Sequence, residues 1–185
     1  MRKIVLFNRT SLDGYFEGAN GDISWHHVDE EFNEFAIAQL KTADTLLFGR
    51  KTYELMEGYW PTEEAIKNDP VVAGLMNGHD KIVFSKSLKK AGWHHTRLIN
   101  ENLLDEVKKL KSMPGKDVLI FGSADLSSSL IEHNLIDEFR VMINPVILGN
   151  GIPLFKNITT KIGLQLLKTK VFGNGNVLFI YITKK

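Results

Sequence analysis

Three short stretches carry residue types suited to gripping a phosphorylated nucleotide. They are Gly49-Arg50-Lys51-Thr52, Ser85-Lys86-Ser87 and Gly122-Ser123-Ala124-Asp125-Leu126, and each follows an apolar run. Glycine lets a backbone approach a ligand closely, and a helix start leaves N–H groups free for a phosphate. Arg50, Lys51 and Lys86 add positive charge, and the serines add hydroxyls. One glycine between a strand and a helix is ordinary turn chemistry. Three such places in one chain, two of them cationic, point to a phosphorylated nucleotide. Ser85 and Lys86 stand where a ribose 2′-hydroxyl would want an acid, so the residues favour a 2′-phosphate and NADP over NAD. Neither G-x-G-x-x-G after the first strand nor G-x-x-x-x-G-K-[ST] is present, which removes the standard Rossmann site and the P-loop.

Other residue types offer less. The pairs His26-His27 and His94-His95 invite a metal, but adjacent side chains diverge and one pair rarely gives two ligands to one ion. No metal is expected. The chain has no Cys, which excludes disulfides and thiolate chemistry and suits a cytoplasmic setting. Its 23 Lys+Arg against 22 Asp+Glu leave a net charge of +1, with nothing to favour nucleic acid or an anionic membrane surface. No apolar run approaches the ~20 residues that cross a bilayer, and the first residues do not read as a secretory signal.

The elements that must position these residues follow from periodicity. The apolar run at 4–7 reads as a buried strand, and the stretches 45–48, 81–84 and 118–121 as further strands. Phe32, Phe35, Ala36 and Leu40 share one face of a helix over 29–42, which Asp29 can cap and whose dipole Glu30 and Glu31 suit. A short helix is expected over 50–56, and further helices over 103–111 and 124–133. The segment 58–80, rich in Pro and Gly, reads as loop with some helix. A half-buried strand follows over 136–143, then a hairpin of 164–172 and 177–183 around Gly173-Asn174-Gly175-Asn176. Strand alternating with helix implies right-handed crossovers and a mostly parallel sheet. The expectation is a single α/β domain over residues 1–185, with helices flanking the sheet and an antiparallel C-terminal hairpin.

Longer motifs carry a resemblance. Thr45-Leu46-Leu47-Phe48-Gly49-Arg50-Lys51-Thr52-Tyr53 resembles the G-R-x-T segment of dihydrofolate reductases. Ser11-Leu12-Asp13-Gly14, with Gly21 and Trp25 after it, resembles the S-x-D-G segment of the riboflavin-biosynthesis reductase domain. Asn144 to Phe155 is similar to that domain's late P-x-x-x-G-x-G-x-P-L-F motif. With Phe121-Gly122-Ser123 these motifs span residues 3–155. The resemblance is to the C-terminal reductase domain of the bifunctional riboflavin deaminase-reductase, which has the dihydrofolate reductase-like fold.

That resemblance implies an NADPH-dependent reductase and suggests a homodimer. Arg50, Lys51, Ser85 and Lys86 would serve the 2′-phosphate and adenine side. Thr52 and the turn Gly122-Ser123-Ala124-Asp125-Leu126 would hold the pyrophosphate beside Gly49. Asn8 and the loop from Ser11 to Trp25 would face the nicotinamide and the substrate. A carboxylate can stabilise an iminium ion or pass a proton. Asp13 is the first candidate; Asp29 or Glu30 is the second, because dihydrofolate reductases place an acid at the start of their first helix. Trp25 and Asp29 would border the substrate.

The nearest named reaction is reduction of 5-amino-6-(5-phosphoribosylamino)uracil, by hydride transfer to an imine or open-chain ribosylamine. Two departures stand against it. The zinc signature of the fused deaminase is missing, and no firm cationic cluster awaits a ribose phosphate, Arg9 being the one weak candidate. Dihydrofolate reduction proper and a non-catalytic nucleotide-binding homologue are the alternatives.

Overall fold

The computed structural model describes residues 1–184. The chain opens with strand β1 (Ile4–Thr10), a short β2 (Tyr15–Glu17) and helix α1 (Glu30–Thr42). Strand β3 (Ala43–Gly49) leads directly into α2 (Arg50–Glu57), and α3 (Glu63–Asn68) and α4 (Pro70–Gly78) follow. Strands β4 (Asp80–Phe84) and β5 (Thr96–Ile99), helix α5 (Leu103–Ser112), strand β6 (Asp117–Ile120) and helix α6 (Ala124–Glu132) come next. The chain ends with β7 (Glu138–Ile143), the two-residue β8 (Ile152–Pro153), β9 (Leu164–Val171) and β10 (Val177–Thr183).

Eight strands form one sheet in the order β5-β4-β3-β6-β1-β7-β10-β9. The six from β5 to β7 are parallel, and β10 and β9 add the antiparallel edge. The expected sheet is therefore the observed one. β1 sits near the middle and alternates between two cores. Ile4 and Leu6 pack with Val107, Leu126 and Leu130, while Val5 packs with Leu40, Val72 and Met76. Burial on both faces is what makes such strands continuously apolar.

Three stretches go beyond the sequence expectation. β1 does not stop at Phe7 but runs through Asn8, Arg9 and Thr10, paired in register with Val141, Met142 and Ile143 of β7. The ladder continues because its bonds are made by backbone, whatever the side chain. The segment 58–80 holds two helices. Thr62 caps α3 by accepting from the Ala65 N–H at 3.2 Å, and Pro70 starts α4 where its missing N–H costs nothing. β5 is a four-residue edge strand whose period is too short to be legible in sequence.

The end of α4 is closed by an unusual group. Lys81 is 1% exposed, and its Nζ donates to the carbonyls of Met76 (3.1 Å), Asn77 (3.0 Å) and His79 (2.7 Å). The same nitrogen lies 4.6 Å from the centre of the Trp93 ring. Burial draws its pKa down to about 8, against the pull of Asp80 in the other direction. Among the described residues, no helix is long and apolar enough to cross a membrane.

Candidate active site

The carboxyl ends of β4, β3, β6 and β1 lie side by side, because these strands are parallel neighbours in the sheet. Gly49 pairs with Phe84 across β3 and β4, and Leu47 pairs with Ile120 across β3 and β6. The three glycine- and serine-bearing turns therefore leave the sheet along one edge, where ligands of open α/β sheets bind.

Two of the turns touch. The Gly49 N–H donates to the Gly122 carbonyl at 3.2 Å. A side chain at Gly49 would run into Ser123 Oγ and come within 3.2 Å of the Ser123 nitrogen. A Cβ on Gly122 would meet Thr52 Oγ1 at 3.0 Å and the Phe16 ring at 2.9 Å, and its φ of +110° is one that side chains resist. Both glycines are therefore demanded by the close approach of β3–α2 to β6–α6. Among the described residues, no group of three His, Asp or Glu side chains gathers as a metal site.

A cleft of about 480 Å³ opens beside these turns. Of the residues singled out from sequence, Asn8, Lys51, Thr52, Ser123, Ala124 and Asp125 line it. Gly49 and Gly122 lie buried behind that lining. Arg50, Ser85 and Lys86 stand outside it, on the adjoining strand ends. Arg50 is half exposed and bridges to Glu54 at 2.9 Å. Ser85 Oγ accepts from the N–H groups of Ser87 (3.2 Å) and Leu88 (2.9 Å), which shapes the turn after β4. Leu126 points the other way, 6% exposed in the core with Leu130, so it can offer only backbone.

The acids expected at the reaction centre are placed elsewhere. Asp13 is exposed, and its carboxylate accepts from the N–H groups of Gly149 (2.8 Å) and Leu148 (3.2 Å), pinning the late loop. Hydrogen bonds from Ser11 and from those amides hold its carboxyl below the usual range. Asp29 caps α1 by accepting from the Phe32 N–H at 2.8 Å. Glu30 is exposed in the first turn of that helix. Trp25 lies outside the lining, with its ring centre 4.3 Å from that of His26. Among the described residues lining the cleft, α1 contributes Phe32, Asn33, Ala36, Gln39 and Leu40, none of them acidic. The lining carboxylates are Glu17, Asp69 and Asp125. Asp69 accepts from the Asn33 amide at 3.2 Å, and Asp125 pairs with Lys156 at 2.7 Å.

Gln39, His26 and Asp69 line the cleft without having been picked out from sequence as site residues, whereas Asn8 was. Asn8 is 2% exposed and Gln39 3% exposed. Among the described residues, Asn8 Oδ1, Asn8 Nδ2 and Gln39 Oε1 have no hydrogen-bond partner. Polar atoms buried without partners are costly, so each of these marks a place for an ordered water or a ligand group. The available signal for Gln39 was its phase: it lies seven residues beyond Phe32 on the stripe that faces inward.

His26 lines the same cleft. Burial, then the charge of Arg9, push its pKa down to about 3, with Asp22 pulling the other way. Between pH 6.5 and 3 the unfolded chain takes up a proton that the folded chain refuses, so stability falls as pH falls through that window. The limit is about 1.4 kcal/mol per pH unit. Urea unfolding at pH 6.5 and pH 5.0 checks this. We expect a loss on the order of 1–2 kcal/mol for wild type, and a much smaller one for His26→Phe. Equal losses would show that His26 titrates normally in the fold.

Comparison with known proteins agrees with this architecture. A putative riboflavin biosynthesis protein from Shewanella sp. PV-4 has the same fold, with a TM-score of 0.76, 22% identity and 99% of each chain covered. So does dihydrofolate reductase from Enterococcus faecalis, solved with NADP(H), with a TM-score of 0.67, 16% identity, and 99% of this chain and 97% of that one covered. The fold is thus the dihydrofolate reductase-like α/β class.

Within that class the chain belongs to the RibD C-terminal domain family, whose pattern it matches over residues 2–178. The Bacillus subtilis (strain 168) protein YyaP, itself described as uncharacterised, is 37% identical over 182 residues, covering 97% of this chain and 94% of that protein.

Proposed function

We propose that the chain is an NADPH-dependent reductase that transfers hydride to a small imine or related heterocyclic substrate. The observation that carries this reading is the convergence of the Gly49-to-Thr52 and Gly122-Ser123 turns, with Thr52 and Ser123 lining a cleft walled by partnerless buried amides. The Enterococcus enzyme of the same fold, solved with NADP(H), supports it.

The residues fit the cofactor. Asn8 offers a donor and an acceptor together, matching the carboxamide of a nicotinamide. Thr52, Ser123 and the first turn of α6 would hold the pyrophosphate, and Lys51, Arg50, Ser85 and Lys86 the 2′-phosphate side. The Arg50–Glu54 bridge is half exposed and therefore weak, so Arg50 is free to turn towards a phosphate. When bound, the nicotinamide supplies the hydride. The protein's part is to align the acceptor, exclude water and supply a proton. Asp13 is committed to the late loop, and Asp29 to the α1 cap. Asp69, braced by Asn33, is the carboxylate we assign to proton transfer, directly or through a water. Dihydrofolate reduction proper is disfavoured, because the first helix presents Asn33 and no acid to the cleft.

A small-molecule substrate and a cytoplasmic location belong to the same proposal. So does a homodimer, which the exposed Leu166, Leu167 and Val171 of the outer strand β9 would serve; the mass in solution checks it.

Nucleotide titration tests the cofactor assignment. Wild type is expected to bind NADPH at least 10-fold more tightly than NADH, and Arg50→Ala to lose most of that difference, as a single charge-assisted phosphate contact implies. Equal, weak binding of both nucleotides to wild type would defeat the assignment.

A further inference from the structure

The cleft, beside the 23–28 segment and α1, holds a buried cation. Arg9 is 8% exposed. One of its amino groups donates to the His27 carbonyl and to Asn144 Oδ1, and its guanidinium carbon lies 4.5 Å from the centre of the Phe32 ring. Among the described residues its Nε has no partner. Asp29 attracts it electrostatically while one oxygen of its carboxylate accepts from the Phe32 N–H. Beside it, His26 Nε2 is also buried without a partner, and both side chains line the cleft. A buried guanidinium with a hydrogen bond left unmade is costly to keep, and a ligand anion would complete it.

We propose that Arg9 and His26 form an anion subsite in the substrate half of the cleft, and that the substrate carries a planar carboxylate seated on them. The proposal rests on the reductase reading only in taking the ligand there to be the substrate. A carboxylate matches the flat guanidinium fork, with His26 donating from Nε2 in the tautomer that carries its proton there. A phosphate dianion suits the place less well. Arg9 is its one fixed cation, and of the two lysines lining the cleft, Lys156 is already paired with Asp125. The neighbouring walls are Ile23, Val28 and Phe32, which fit a flat apolar ring behind the carboxylate.

The test uses benzoate, its neutral counterpart benzamide, and phenyl phosphate. Each is titrated into the chain without nucleotide and followed by ligand-observed NMR. Wild type is expected to bind benzoate at least 10-fold more tightly than benzamide, and phenyl phosphate no more tightly than benzoate. Arg9→Gln should remove the preference for benzoate. His26→Phe should weaken benzoate about threefold and leave benzamide unchanged. This second variant keeps a ring against Trp25 and preserves the test if Arg9→Gln, stripped of its brace to Asn144, does not fold. Equal binding of benzoate and benzamide, no benzoate binding, or benzoate affinity unchanged in the folded variants would overturn the proposal. Tenfold tighter binding of phenyl phosphate would overturn the carboxylate assignment. A benzoate preference together with failed NADPH binding would sink the reductase reading alone. NADPH binding without a benzoate preference would sink the subsite alone.

Discussion

Gly122→Ala is expected to weaken NADPH binding more than 30-fold and to destabilise the fold by about 2–4 kcal/mol. Two independent costs add. The φ of +110° at Gly122 is strained for any side chain, and a new Cβ would meet Thr52 Oγ1 at 3.0 Å and the Phe16 ring at 2.9 Å. Phe16 and Thr52 both line the cleft, so the relaxation that relieves the clash must move its wall. The adjoining N–H groups at the start of α6 would shift with the turn, and positioning is the whole of their contribution to a pyrophosphate. Nucleotide titration and urea unfolding of the same sample separate the two effects. Stability lost with NADPH affinity intact would mean that the turn serves packing and the nucleotide lies elsewhere.

Lys81→Met should cost about 3 kcal/mol of stability while leaving nucleotide affinity within twofold of wild type. Methionine fills much of the same volume, so the loss isolates the ammonium group. Three buried or half-buried carbonyls at the end of α4 would lose their charged donor, and the Trp93 ring would lose its cation. Hydrogen bonds from a charged donor are stronger than neutral ones, and buried acceptors left bare bear the full cost of desolvation. Unfolding by urea is the measurement. A loss under ~1 kcal/mol would show that α4 closes by other means. The helix matters to the site, because Asp69 stands at its start and Val72 and Met76 line the cleft.

Much of this arrangement was legible in the residues. The apolar runs at β1, β3, β4 and β6 announce strands, and the turn residues after β3, β4 and β6 are what the proposed nucleotide site is built on. The parallel order follows from the alternation of strand and helix, and Gly173 to Asn176 marks the final hairpin. Each of these signals is local, since it depends on a period of two or 3.6 residues or on the backbone freedom of one glycine.

What the tertiary structure alone decided is which polar groups line the cleft. Asp13, Asp29 and Glu30 are near the site in sequence, yet Asp13 is drawn to the amides of Leu148 and Gly149 and Asp29 to its own helix cap. Asp69, Gln39 and His26 enter the cleft instead, and Arg9 is buried there because β1 runs on past Phe7 in register with β7. A carboxylate or guanidinium takes its role from the partners brought to it by strand register and helix phase. Those are long-range quantities that no local pattern records.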